Sequence, residues 1–222
     1  LKWLELILRW SHVLFAILWV GNSFLFNYLD NKLNKNISSE DIDGEGSFAV
    51  GGSSVSLSND GSTVAIGTPH SLNDADGDYS GHVRIYQNQT GLWKQVGDDI
   101  NGESAGDLFG TSVSLSSDGS VIAIGADSND DNGVNSGHVR VYKKISNQWV
   151  QIGDDIDGEA AYDSSGYAIS LSNDGDIVAI ASPFNDTNGE NSGHVRVFKN
   201  INGVWTQLGE PIQGESENNV SG

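Results

Sequence analysis

Cysteine is absent from the 222 residues, methionine is absent too, and proline occurs only three times. Without a thiol there is no disulfide, no thiolate metal site, no cysteine nucleophile and no C-x-x-C-H haem attachment. The first residue is Leu1 rather than methionine, so the chain reads as a fragment or a processed product. Basic residues are few: 11 stand against 30 acidic ones, a formal charge of −19. Lys2, Arg9, Lys32 and Lys35 precede position 36, which leaves 7 basic against 28 acidic residues afterwards. So anionic a body repels phosphate backbones, which argues against nucleic acid and favours cations and basic partners, although solubility alone accounts for the same charge. No P-loop, H-E-x-x-H or G-x-G-x-x-G run occurs. Carboxylates are too abundant to nominate an acid–base pair, and the expectation is a non-enzymatic chain.

Long apolar runs are also scarce, with one exception. Trp10 to Leu29 gives twenty residues without a formal charge, long enough at 1.5 Å per residue to cross about 30 Å of hydrocarbon. Trp10, Trp19 and Tyr28 supply amphipathic rings, and Arg9 and Asp30 bracket the run. A transmembrane helix within residues 1–35 is the reading, with membrane as the partner of residues 10–29. Ser11, His12, Asn22, Ser23 and Asn27 weaken it, because each needs a partner inside lipid. A cleaved signal and a buried soluble helix are the alternatives; bulky aromatics around Gly21 and Ser23 make a poor cleavage site. Residues 36–45 read as a linker.

From residue 46 onward the chain repeats itself. "SGHVRIY" at Ser80, "SGHVRVY" at Ser136 and "SGHVRVF" at Ser192 recur at a spacing of 56. Trp93, Trp149 and Trp205 keep the same phase, as do "GDDI" at Gly97 and Gly153, "GEPI" at Gly209, and "GE" at Gly102, Gly158 and Gly214. The repeats run over about 46–101, 102–157 and 158–213, and a fourth would start at 214. Each holds four β-like runs; in the second these are 112–116, 121–125, 138–142 and 149–153, alternating or β-branched and bounded by Gly, Asn, Asp and Ser. Asn-Asp-Gly at Asn59 and Asn173 and Ser-Asp-Gly at Ser117 fit tight hairpins. The fold class expected is all-β, a partial β-propeller of three four-stranded antiparallel blades behind one N-terminal transmembrane helix, an open arc with exposed edge strands.

Two stretches resemble known families. "LKWLELILRWSHVLFAILWVGNSFLFNYLDNKL", residues 1–33, resembles the opening of the membrane-bound urate hydroxylase family, the urate oxidase N-terminal domain. That resemblance implies further membrane helices and often a cytochrome-c-like domain. Neither a second apolar run of spanning length nor a haem-tethering cysteine follows Leu33. "LFGTSVSLSSDGSVIAIGAD", residues 108–127, is similar to the FG-GAP repeat of integrin-like propellers, with Phe109-Gly110 at its opening and Gly125-Ala126 at its close. Gly51-Gly52 and Ser165-Gly166 take the place of Phe-Gly in the other copies. The resemblance implies an extracytoplasmic binding or adhesion module, single-pass at the membrane, that takes a protein or carbohydrate ligand on the blade loops at 68–80, 126–136 and 182–192. A truncated or chimeric, inactive relative of urate hydroxylase is the alternative, and a spacer array without a ligand is another.

Three Asp-rich loops, 73–81, 128–137 and 184–193, share D-x-[DN]-G, a set of hard oxygen donors on a glycine turn. Calcium is the candidate ion, at Asp74, Asp76 and Asp78, at Asp130 and Asn132, and at Asp186 and Asn188. Leu72, Ser128 and Phe184 stand where a first ligand would complete the calcium run, and Asx turns held by local hydrogen bonds account for the same residues. His82, His138 and His194 each precede an arginine by two positions; strand alternation puts His and Arg on one face and Val on the other. No neighbouring acid is in place to orient these histidines, so a recurring structural role is expected. The three tryptophans are expected to pack between blades.

Overall fold

From residue 52 onward Gly, Asn, Asp and Ser break the sequence so often that no segment sustains a helical period, and the strands between breaks are two to eight residues long. In the computed structural model, which describes residues 52–71 and 79–221, all regular elements are accordingly strands. The first repeat contains β1 (Ser54–Leu57), β2 (Thr63–Thr68), β3 (His82–Gln89), β4 (Leu92–Gln95) and β5 (Ile100–Asn101). β6 (Ser112–Leu115), β7 (Val121–Ala126), β8 (His138–Ile145), β9 (Gln148–Gln151) and β10 (Ile156–Asp157) make the second. β11 (Ala168–Leu171), β12 (Ile177–Ser182), β13 (His194–Ile201), β14 (Val204–Gln207) and β15 (Ile212–Gln213) make the third.

Each repeat closes on itself as one antiparallel sheet. Registers repeat as well: Ser112 faces Gly125 and Ile122 faces Tyr142 in the second sheet, as Ala168 faces Ala181 and Val178 faces Phe198 in the third. The fourth run expected from sequence, 149–153, matches β9, and after a break comes a further two-residue strand that the sequence did not mark, β10; β9 and β10 pair with different halves of β8. Gly153 at the break has φ +78, a backbone conformation that leaves the extended region and that glycine adopts without a Cβ penalty. Ser-Asp-Gly chemistry closes the first hairpin of every sheet. Ser116 Oγ donates to Asp118 Oδ1 at 2.8 Å while the backbone N–H of Val121 donates to Ser116 Oγ at 2.9 Å, and Gly119 takes φ +65.

Alternation along the inner strands determines where the core sits. Ile122 and Ile124 of β7 and Tyr142 of β8 join Ala65, Val83 and Ile85 of the first repeat in one cluster. Val121, Ala123, Val139 and Val141, on the opposite face, join Val178, Ile180 and Phe198 of the third. The middle sheet is buried on both sides, which is why every residue of β7 is buried. Outer faces lack that cover: Leu115 is 7% exposed, but its counterpart Leu57 is 61% exposed; Ile156 is 5% exposed and its counterpart Ile212 65%.

Hydrogen bonds between equivalent positions of successive repeats fasten sheet to sheet. Ser54 Oγ donates to Gly110 O at 2.7 Å and Ser112 Oγ to Gly166 O at 2.6 Å. Leu115 N donates to Ser56 Oγ, and Leu171 N to Ser114 Oγ, both at 3.0 Å. The hairpin turns also form a backbone ladder, from Asn59 N to Ser117 O at 2.8 Å and from Ser117 N to Asn173 O at 2.9 Å.

Residues 10–29, the expected membrane segment, lie outside the described residues. Among the described residues no helix is long and apolar enough to cross a membrane.

Candidate functional site

The Asp-rich loop of the second repeat is organised by its own side chains. Asn129, fully buried, accepts the Asp131 N–H on Oδ1 at 3.0 Å, forming an Asx turn, and donates from Nδ2 to Asp107 Oδ2 at 3.1 Å. Asp130 Oδ1 accepts the Asn135 N–H at 2.7 Å, and Asn132 Nδ2 donates to Gly158 O at 2.7 Å. The third repeat reproduces the pattern: Asp186 Oδ1 accepts from Asn191 N at 2.7 Å, and Asn188 Nδ2 donates to Gly214 O at 2.7 Å. Asp130, Asn132, Asp186 and Asn188 thus tie the loops locally and to the chain that follows each sheet. Asp74, Asp76 and Asp78 lie outside the described residues.

A different group of side chains meets at the seam between the first and second repeats. β8 presents His138, Arg140 and Tyr142 toward the first repeat and Val139 and Val141 away from it, as alternation requires. The Arg140 guanidinium lies over the Phe109 ring, 4.4 Å from its centroid, donates to Asn101 O at 3.3 Å and pairs with Glu103 Oε1 at 3.1 Å. Asp155, just before β10, places Oδ2 3.6 Å from His138 Nδ1 and accepts on Oδ1 from Gln151 Nε2 at 2.6 Å. Asp131 completes the group from the β7–β8 loop. One oxygen each from Glu103, Asp131 and Asp155 and one ring nitrogen of His138 all lie within 4.8 Å of one another.

The electrostatics follow from burial. Loss of solvent, assisted by the nearby Arg140 charge and opposed by Asp155 and Asp131, holds the His138 imidazole down to about 4, so it is neutral near pH 7. Burial raises the Glu103 carboxyl above its ordinary range; Arg140 opposes this, and crowding by Asp155, Asp131 and Asp107 adds to it. Burial likewise raises Asp107, against the hydrogen bonds from Asn129 and Ser104.

Residue types and local spacing did not disclose this group. His138 lacks an acid nearby in sequence, but the chain delivers Asp155 through the pairing of β10 with β8 and Glu103 from the end of the preceding sheet. A signal was available in the differences between copies. At offsets of 56, Glu103 and His138 correspond to Glu159 and His194, whereas Asp131 and Asp155 correspond to Thr187 and Pro211. Gly102–Gly106 also has the G-x-S-x-G spacing of a nucleophile elbow. It follows the two-residue strand β5, and no helix follows it, whereas an elbow is a strand-to-helix turn; the Ser104 N–H donates to Asp107 Oδ2 at 3.1 Å.

Among solved structures the chain is similar to Kuenenia stuttgartiensis hydrazine synthase, with 14% identity over 75% of this chain and 38% of that one and a TM-score of 0.43. A hypothetical selenium-binding protein from Sulfolobus tokodaii gives 15% identity over 69% and 40%, with a TM-score of 0.40. The Pyrococcus horikoshii acylaminoacyl peptidase gives 12% over 69% and 24%, with a TM-score of 0.37. The chain spans less than two thirds of the length of each. No curated protein matches it. Two family models do, and they fall on the two stretches singled out by sequence: urate oxidase N-terminal over residues 1–56 and the FG-GAP repeat over residues 101–142.

Proposed function

We propose that the three sheets are consecutive blades of an FG-GAP β-propeller, tethered to a membrane through residues 10–29 and displayed outside the cytoplasm for non-enzymatic binding or adhesion. The observation that carries this reading is the recurrence of the same inter-sheet bonds between equivalent positions of successive repeats, Ser54 to Gly110 and Ser112 to Gly166, beside the FG-GAP match at 101–142. Such a bond pattern stacks sheets face to face by one repeated operation, as propeller blades stack. Ligand contact falls to the loops at 68–80, 126–136 and 182–192, which a rigid sheet scaffold holds in place, and the ligand is a protein or a carbohydrate. Calcium in the Asp130–Asn132 and Asp186–Asn188 loops belongs to this reading. A melting temperature unmoved by millimolar calcium removes it.

The test is made in cells expressing the full chain. The reading requires that the protein stay with membranes after carbonate extraction, that external protease remove the repeats, and that grafting the 182–192 loop onto 126–136 abolish binding on a glycan or protein array. Release into the carbonate supernatant refutes the tether, and protection from external protease refutes the display.

The match over residues 1–56 favours a second reading, a chimeric or truncated relative of membrane-bound urate hydroxylase that is inactive in this chain. Urate consumption by membranes carrying the chain, above vector controls, would overturn the non-enzymatic reading.

A further inference from the structure

We infer that Glu103, Asp131, His138 and Asp155 bind one divalent transition-metal ion of the zinc class at the seam between the first and second repeats. This is a separate place from the Asp130–Asn132 and Asp186–Asn188 oxygens, and the inference does not depend on a membrane tether or on a propeller.

Clustered surface carboxylates alone mean little. His138 adds a second observation: its side chain is 0% exposed and its two ring nitrogens have no hydrogen-bond partner, a state shared by His194 of the third repeat, but only His138 stands among three carboxylates. Buried imidazoles ordinarily find a donor or an acceptor, because leaving both nitrogens bare forfeits their solvation. Asp155 Oδ2 at 3.6 Å is too far to serve. The bare nitrogen instead stands among three carboxylate oxygens, within 4.8 Å of each.

Geometry and charge favour an ion. Tetrahedral zinc with bonds of about 2.0–2.1 Å holds its donor atoms about 3.4 Å apart, so the widest pair must draw in by roughly 1.4 Å. Glu103 and Asp131 are exposed and can supply that movement by side-chain rotation. Three carboxylate donors, with Asp107 close by, outweigh the single Arg140 guanidinium, and a divalent ion offsets that excess of negative charge. A borderline imidazole among carboxylates suits zinc, cobalt or manganese better than calcium or magnesium, which take oxygen donors.

The other repeats supply internal controls. In the third, Thr187 and Pro211 replace two of the four donors, and the nearest carboxylate recorded at His194 Nδ1 is Glu159, at 3.9 Å. In the first, Asp99, the counterpart of Asp155, is gripped by Arg84 at 2.8 to 3.0 Å. Among the described residues one such ion is therefore expected.

The full chain, held in detergent, purified without a polyhistidine tag and stripped with EDTA, is titrated with Zn2+ by calorimetry and with Co2+ by visible absorption. One equivalent is expected, with the intense cobalt bands of a four-coordinate site. Asp131→Asn and Asp155→Asn should each weaken binding at least tenfold, while Glu210→Gln, at an exposed position of the third repeat, leaves it unchanged. Asp131 is exposed, so its variant keeps the test open should Asp155→Asn fold poorly; circular dichroism checks both. Absence of saturable binding overturns the inference, and so does unaltered affinity in the Asp131 variant.

Discussion

Trp149 donates its indole N–H to the carbonyl of Val96, 53 residues earlier and in the preceding sheet, at 2.9 Å. Trp205 repeats the bond to Ile152 at 2.8 Å, again over 53 residues. The glycines in between make room: a Cβ on Gly97 or Gly153 would run into the indole Cδ1. Both tryptophans also pack against the apolar clusters between sheets, so each is a polar clasp and an apolar plug.

Trp149→Phe keeps most of the ring and removes the donor. Loss of about 1 kcal/mol is expected, read as a lower urea midpoint at unchanged slope. Trp149→Ala should cost about 3 kcal/mol, because it also empties the seam.

Gly125 lies where the next repeat crosses closest. A methyl group there would collide with the carbonyl oxygen of Gly166 and with Ser112 Oγ, which themselves are hydrogen-bonded at 2.6 Å. The obstacle is the Gly166 backbone, itself held by the bond from its N–H to Ala181 O at 3.0 Å, so relaxation is costly. Gly125→Ala is expected to destabilise by about 2–3 kcal/mol, and chemical denaturation measures it. A loss under half a unit would mean that the sheets do not approach so closely.

Asn129 and Asp107 form a buried pair that ties the β7–β8 loop to the segment entering β6, and Asn185 with Asp163 does the same in the third repeat at 2.8 Å. Asn129→Ala leaves the Asp107 carboxylate with the Ser104 N–H alone, at a cost of about 1–3 kcal/mol. A double-mutant cycle with Asp107→Ala should return a coupling of at least 0.5 kcal/mol.

Acid should weaken the fold before its carboxylates are protonated. His138 is held down to about 4 in the folded chain, and His194 is also lowered by burial. Unfolded histidine titrates at about 6.5, so between roughly 6.5 and 4 the unfolded state carries protons that the folded state refuses. The stability is present above 6.5 and lost as pH falls through that window. In chelated buffer the melting temperature should therefore drop between pH 7 and pH 5, and His138→Gln should flatten the slope. An unchanged slope in that variant would place the titration elsewhere.

Much of the molecule was legible because strands and hairpins follow local rules. Alternating side chains marked β6, β7 and β8, and Ser116-Ser117-Asp118-Gly119 marked its turn, since both depend on residues at most five apart. The break after the fourth strand was less visible. Gly153 is a landmark of the repeat, but its positive φ follows from the pairing of β9 and β10 with successive halves of β8.

The sequence by itself determined that this protein is a threefold repeat of short antiparallel strands, and that His and Arg share a face of each third strand, because side-chain alternation and turn chemistry need nothing beyond neighbouring residues. Only the tertiary structure decided that Glu103, Asp131, His138 and Asp155 meet at one seam. Those residues span more than fifty positions, and sheet pairing and stacking, which act between distant segments, bring their charges within reach of one another.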